Sequence, residues 1–206
     1  MVESQLRARA IRDERVLAAM ERVPRHLFAP SYNAGAAYED HPILIEQNQT
    51  ITQPYMVAAM AQAAEIKPTD VVLEVGTGSG YQAAVLAELA AEVFTIERFV
   101  ILAELAQQTL AHLNYSNVIT TVGDGSDGLR QYSPYDAIVV AAAAPQIPTA
   151  LVEQLREGGR LVIPVGNAEE QELCLVRKQS GTSTVQRLFG CKFVPLVGRY
   201  GFHPAT

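Results

Sequence analysis

The sequence predicts an α/β fold, a doubly wound and mostly parallel sheet of seven strands preceded by a helical N-terminal extension. Two observations carry this. From residue 71 onward, short apolar runs alternate with stretches of helical period, joined by short links. That is the pattern of parallel strands with crossover helices on both faces. The first apolar run closes on glycines at alternate positions, Gly76, Gly78 and Gly80, where a strand hands over to a helix.

The N-terminal part comes first. Residues 3–20 read as an amphipathic helix. "VPRHLFAPSYNAGAAYEDHP" (23–42) is rich in turn chemistry and has no clear period, and "PYMVAAMAQAAEI" (54–66) returns to helix. Residues 1–66 are expected to cover the carboxyl edge of the sheet, where open α/β folds bind ligands. Residues 67–206 are expected to form the core, the whole being one compact unit.

Within the core, "DVVLEVG" (70–76) is a buried parallel strand. "GYQAAVLAELA" (80–90) sets Ala84, Leu86, Ala87 and Leu89 near helical spacing. "AEVFTIE" (91–97) is a second strand and "RFVILAELAQQTLAHL" (98–113) a second helix. "NVITTVGDG" (117–125) and "YDAIVVAAAAP" (135–145) hold the third and fourth strands. "IPTALVEQLREGG" (147–159) is a helix ended by Gly158 and Gly159, and "RLVIPVG" (160–166) is the fifth strand. Residues 171–178 and 184–198 complete the seven as an antiparallel hairpin around "QSGTS".

Composition bounds the function. Of 206 residues, 49% are hydrophobic and 18% charged, values of a globular chain. No apolar run reaches the roughly 20 residues that cross a membrane. "MVESQLRARAIRDERVLAAM" (1–20) is charged throughout and lacks a signal-peptide core. The formal charge of -6 with no block of like charges argues against a nucleic-acid partner. Cys174 and Cys191 form no CxxC pair and read as reduced core thiols of a cytoplasmic protein. His26, His41, His112 and His203 are scattered without ligand spacing, so no metal site is expected.

The glycine loop narrows the ligand. A dinucleotide site needs G-x-G-x-x-G, and here the last position is Tyr81. A P-loop needs a terminal GK[ST], which is absent. What stands there is E-x-G-x-G-x-G, from Glu74 to Gly80, with no Lys or Arg inside the loop to meet a phosphate. Glu74 is expected to place a negative group by the site, which suits the ammonium and sulfonium of S-adenosylmethionine. Glu97, closing the second strand, has two oxygens for the two ribose hydroxyls, a device NAD sites share. Asp124 is expected to accept from the adenine amino group. Each residue alone also reads as a turn or a cap. All three at the carboxyl ends of successive predicted strands point to one cofactor site.

With these residues in place, the sequence resembles the protein-L-isoaspartate O-methyltransferase family. The likeness runs from about Val16 to Gly198 and is carried by "VPRHLFAP", "QTITQPYMVA", "LEVGTGSGYQ", "GDG", "PYDAIVVAAAAPQIPTALVEQLREGGRLVIPVG" and "FVPLVG". It implies a Rossmann-like, S-adenosylmethionine-dependent enzyme that methylates the free carboxylate of L-isoaspartyl residues in damaged proteins and peptides, leaving S-adenosylhomocysteine. It also implies a permuted order of the last strands. Cofactor contacts are implied at Gln49, Thr50 and Ile51, at Thr77 and Ser79 within the glycine loop, at Arg98, at Gly123 and Gly125, and at Ala142. Substrate contacts are implied at Thr52, Gln53, Pro54 and Val194. The enzyme is expected to act as a monomer, without nucleic acid or membrane.

One position departs from the family pattern. Where the family has a serine whose hydroxyl orients the substrate carboxylate, this chain has Thr52. Threonine keeps the hydroxyl but restricts χ1. A methyltransferase of the same fold acting on another carboxylate or a small molecule is therefore the alternative, beside a nucleotide-binding oxidoreductase, which Tyr81 disfavours, and a non-catalytic cofactor-binding module.

The chemistry asks for little more. A carboxylate with a reference pKa of roughly 4 is already ionised at neutral pH, so methyl transfer needs alignment and exclusion of water rather than a base. In "CKFVPLVG", Pro195 suits a strand edge whose main chain holds an extended peptide, with the side chains of Phe193, Val194 and Leu196 in the core. Tyr55, Tyr81 and Tyr200 are expected to have buried rings and wet hydroxyls.

Overall fold

The computed structural model describes residues 1–203; residues 204–206, the end of the expected core segment, lie outside the described residues. The N-terminal part contains helix α1 (Glu14–Arg22), a two-stranded hairpin of β1 (Ile43–Leu44) and β2 (Thr50–Ile51), and helix α2 (Pro54–Ala64). Then follow β3 (Val71–Val75), α3 (Tyr81–Ala87), β4 (Glu92–Glu97), α4 (Val100–His112), β5 (Val118–Val122), β6 (Tyr135–Val140), α5 (Thr149–Glu153), β7 (Leu155–Gly166), β8 (Gln171–Gln179) and β9 (Thr182–Cys191).

Strands β3 to β9 form one seven-stranded sheet in the order β5-β4-β3-β6-β7-β8-β9. Pairing is parallel from β5 through β7 and antiparallel for β7–β8 and β8–β9. The last three strands thus run as neighbours in chain order. Chain order reverses between β3 and β6, and the crevice of such a sheet opens at that switch point.

Both faces of the sheet are covered. Val72, Val93, Ala137, Val139 and Val162 pack on one side with α2, α3 and the N-terminal Leu6, Ile11, Val16, Leu17 and Met20. Leu73, Val75, Phe94, Ile96, Ile138 and Val140 pack on the other with Leu151. Continuous apolar strands are what two-sided burial demands, and each fully buried aliphatic side chain contributes about 1.5–3 kcal/mol. The N-terminal part thus shares the sheet's core.

Four boundaries differ from the sequence reading. The expected helix over 3–20 is broken: Ala10 adopts a left-handed conformation (φ 67°), and Asp13 starts α1 anew by accepting from the Arg15 amide at 2.9 Å. A capping acid outweighs the continuous amphipathic pattern here. α2 stops at Ala64 because Glu65 turns left-handed (φ 48°). α5 ends at Glu153, and Gly158 and Gly159 lie in an irregular start of β7 rather than at a helix cap. The seventh strand ends at Cys191, short of residue 198.

Candidate active site

Because β3, β4, β5 and β6 are parallel, their carboxyl ends deliver four loops to one edge. Backbone bonds continue past the strands and fix those loops: Gly76 N–H to Ile96 O at 2.9 Å, Ala141 N–H to Val75 O at 2.8 Å, and Gly123 N–H to Glu97 O at 2.9 Å. Gly76, Gly78 and Gly80 have φ of 92°, 53° and 87°, a conformation that glycine alone adopts freely. The loop therefore turns with backbone, not side chains, toward the crevice. Glu97 closes the turn from below. One carboxylate oxygen accepts from the Gly78 amide at 2.9 Å and the other from the Phe99 amide at 3.0 Å.

From the N-terminal side, the β1–β2 hairpin pairs Ile43 with Ile51 and Leu44 with Thr50, which lays residues 49–52 against the loop. The cleft between them, its open mouth included, spans about 730 Å³. It is lined by Gln49, Thr50, Ile51 and Thr52, by Gly76, Thr77, Gly78 and Ser79, by Glu97 and Arg98, and by Gly125, Ala142 and Val194. Most expected site residues thus meet in one place. Sequence reading missed Gln82, Ala141, Leu196 and Val197 among the lining residues. Gln82 is a buried helical residue, and its one signal was its place just after the glycine loop.

Arg25 anchors the N-terminal cover beside this cleft. It is fully buried, donates from Nε to Ala37 O at 2.7 Å, and sets its guanidinium 4.6 Å from the ring centre of Tyr81. Burial pushes its pKa down from the usual arginine value. Tyr81 is itself buried, with its hydroxyl 3.7 Å from Met20 Sδ, so the expected wet hydroxyl is not what forms.

Two expectations about charge need correction. Glu74 does not face the cleft. It is fully buried beneath the loop, where Oε2 accepts from the Thr95 hydroxyl at 2.5 Å and Thr95 meets Thr77 at 2.6 Å. Burial pushes its pKa up to about 8, with Glu97 adding to the rise against the Thr95 hydrogen bond. At neutral pH it is mostly a neutral acid that ties β3 to β4, and a continuous buried strand leaves it no path to the ligand. Asp124 likewise does not line the cleft. Its Oδ1 accepts from the Ser126 amide at 2.9 Å and the Ser126 hydroxyl at 2.7 Å, and its Oδ2 from the Arg199 amide at 2.7 Å. Gly80 and Gly123 shape the loops from behind the lining.

A second hollow, about 1310 Å³ with its open mouth included, adjoins the first and is lined by Arg9, Gln53, Tyr55, Phe189, Lys192 and Phe193, among others. Thr50, Thr52, Ala141 and Val194 wall both hollows. Gln53 donates to the Asp40 carbonyl at 2.9 Å and carboxylate at 2.8 Å, while Pro54 is buried as the first residue of α2. The stretch after β9, where Pro195 is expected to form a strand edge, is paired along one side. Ala143 N–H donates to Val194 O at 2.8 Å and Leu196 N–H donates to Ala143 O at 2.7 Å. This backbone is already paired to the end of β6.

A sheet of this order, with a glycine loop on its central strand and an acid closing the next, defines a Rossmann-like methyltransferase. The sequence profile of the protein-L-isoaspartate(D-aspartate) O-methyltransferase family matches residues 1–201. A protein-L-isoaspartate O-methyltransferase of Koribacter versatilis is 56% identical over 205 residues, spanning 100% of this chain and 92% of that protein. Its counterpart in Methanoculleus marisnigri is 52% identical over 202 residues, 98% and 92% of the two chains. A solved structure of this kind from Plasmodium falciparum, in complex with S-adenosyl-L-homocysteine, superposes with a TM-score of 0.83 at 26% identity, covering 95% of this chain and 96% of that one. The chain belongs to the protein-L-isoaspartate(D-aspartate) O-methyltransferase family.

Proposed function

We infer that the protein transfers the methyl group of S-adenosylmethionine to the free carboxylate of L-isoaspartyl residues in damaged proteins and peptides, with Thr52 at the point of transfer. One observation carries the reading: Thr52 stands in the wall common to the cleft beside the glycine loop and the larger hollow next to it. The same-fold alternative acting on another acceptor is not favoured by relatives about half identical over the whole chain.

The residues present fit the cofactor. Glu97 lines the cleft at 5% exposure and holds one amide on each oxygen, so both oxygens keep a free lone pair for a ligand's paired hydroxyls. The glycine loop presents backbone without side-chain bulk. Gln49, Thr50, Ile51, Thr77, Ser79, Arg98, Gly125 and Ala142 are assigned to the remaining contacts, with Gly76, Gly78, Gly80 and Gly123 setting the loops. When bound, the cofactor supplies an electrophilic methyl on a sulfonium.

The chain's own task is placement. Thr52 donates its hydroxyl to the acceptor carboxylate, which arrives ionised. Ala141 and Val194 crowd the same passage and exclude water, which strengthens the attack of the anion. Gln53 and Pro54 fix Thr52 at the start of α2. The peptide is assigned to the hollow lined by Tyr55, Phe189 and Phe193. The reading takes the enzyme to work as a monomer in the cytoplasm, apart from nucleic acid and membrane. A net charge of -6 and two free cysteines support it, and no helix among the described residues is long and apolar enough to cross a membrane.

The deciding experiment is methyl incorporation into an isoaspartyl peptide against its ordinary aspartyl counterpart, with cofactor binding followed by calorimetry. Incorporation into the isoaspartyl peptide alone is expected. Equal incorporation into both, or none, overturns the reading.

A further inference from the structure

After β9 the chain crosses the whole carboxyl edge of the sheet. It leaves the outer strand at Cys191 and is gripped by Gln171, whose side chain accepts from the Phe193 amide at 2.6 Å and donates to the Phe193 carbonyl at 3.1 Å. It pairs with Ala143 beyond β6, and Val194, Pro195, Leu196 and Val197 then form one wall of the cofactor cleft. A tight loop follows, closed by Gly201 N–H to Gly198 O at 3.1 Å and Phe202 N–H to Leu196 O at 2.7 Å. The tip of that loop reaches the segment after β5, on the other side of the switch point.

Two side chains hold the tip there. Asp124 Oδ2 accepts from the Arg199 amide at 2.7 Å, and the Ser126 hydroxyl accepts from the Tyr200 amide at 2.9 Å. The Ser126 hydroxyl in turn donates to Asp124 Oδ1 at 2.7 Å, so one hydrogen-bonded unit receives two consecutive amides. Ser126 is fully buried. Any Cβ on Gly198 would collide with both Asp124 and Ser126, so the strap lies flush against the pair. The Asp124 carboxyl is held below the usual aspartate range; burial opposes this, and the Arg199 and Ser126 hydrogen bonds outweigh it.

We propose that Ser126, with Asp124, is a positioning residue that clasps the Gly198–Tyr200 loop and thereby holds the Val194–Val197 wall at the right height over the cleft. Ser126 touches neither cleft nor hollow. It acts through the strap, and the wall it sets is shared by cofactor and acceptor. The proposal rests on the reading above of the cleft as the cofactor site.

The test compares the parent protein with Ser126→Ala, which removes the acceptor of the Tyr200 amide, and with Arg199→Pro. The second variant changes an exposed residue at the first central position of the turn, where proline is accepted, and removes the other donated amide. Hydrogen exchange reads the Tyr200 amide, calorimetry reads S-adenosylhomocysteine affinity, and initial rates separate KM for an isoaspartyl peptide from kcat. Expected are faster exchange at Tyr200 in both variants, with a loss of cofactor affinity and a rise in KM: about three- to tenfold for Ser126→Ala, the value of one neutral hydrogen bond, and about ten- to a hundredfold for Arg199→Pro, whose amide donates to a carboxylate. kcat and the melting temperature should move far less, and Ser126→Thr, which keeps the hydroxyl, should recover the affinity. Unchanged affinity and KM alongside faster exchange would overturn the clasp while leaving the cofactor reading intact. Unchanged exchange would overturn it too. A parent protein that binds no S-adenosylhomocysteine would remove the reading and the clasp together.

Discussion

The carboxylate of Glu97 and the amide of Gly78 are joined by a 2.9 Å hydrogen bond across the turn from β3 to α3. An acid at the end of one strand thus shapes the glycine loop at the end of its neighbour. Glu97→Gln keeps the size but leaves one of the two acceptor positions as an amide nitrogen. Hydrogen bonds to charged groups contribute about 1.5–3 kcal/mol, so S-adenosylmethionine affinity should weaken by about ten- to a hundredfold. Calorimetric titration checks it, and an unchanged dissociation constant would remove Glu97 from the cofactor's contacts.

Thr52 tests the acceptor side. Thr52→Ser should retain activity, since the hydroxyl stays and only a methyl goes. Thr52→Val keeps the shape and removes the donor that holds the carboxylate in line, and kcat/KM for an isoaspartyl peptide should fall about a hundredfold, the scale of a misplaced acceptor. Cofactor affinity should barely change. Equal rates for Ser and Val would mean the hydroxyl is idle.

Arg160 and Asp70 form a buried ion pair at 2.5 Å, with Arg160 also donating to the Ala64 and Glu65 carbonyls at 2.8 and 3.1 Å. The pair joins the end of α2 to β7. Asp70→Ala strands a buried guanidinium, and the unfolding free energy should drop by about 3–5 kcal/mol. Chemical denaturation measures this. The cofactor affinity of the protein that remains folded should match the parent's, because neither residue lines the cleft.

Glu74 sets a pH signature. Its pKa is about 8 in the folded chain against an ordinary value of 4.5, so the folded state binds the extra proton between those values. Unfolding free energy should therefore fall as pH rises from about 4.5 to about 8, by about 1.4 kcal/mol per pH unit for one proton. Glu74→Gln should flatten that limb and gain on the parent most at pH 8 and above. Parallel stability curves for the two proteins would refute a raised Glu74.

The sheet was legible because it is written in local terms. Runs such as Val71–Val75 and Tyr135–Val140 are apolar but for one acid each, and Ser180 and Gly181, with φ of 53° and 73°, make the tight turn that "QSGTS" announces. Less legible were features that depend on distant partners. Ala10 breaks a helix that the periodicity favours. Asp124 is taken up by the amide of Arg199, 75 residues later. The inward orientation of Glu74 follows from strand register, since a charged residue in a two-sided sheet has to be buried on one face or the other. Motif spacing located the loop and the threonine, whereas Pro195 read as a strand edge and Leu196 as core, and only the fold makes them, with Val197, a wall of the cleft.

Thr50, Thr52, Ala141 and Val194 belong to both hollows, so the two ligands share one wall. Whichever arrives first completes the container for the second. Free-energy coupling of this kind is reciprocal: if cofactor sharpens the grip on peptide, peptide sharpens the grip on cofactor by the same factor. Steady-state kinetics would then show either order of arrival, each ligand lowering the other's dissociation constant, and the spent cofactor would leave more slowly while a methylated chain still occupied the neighbouring hollow.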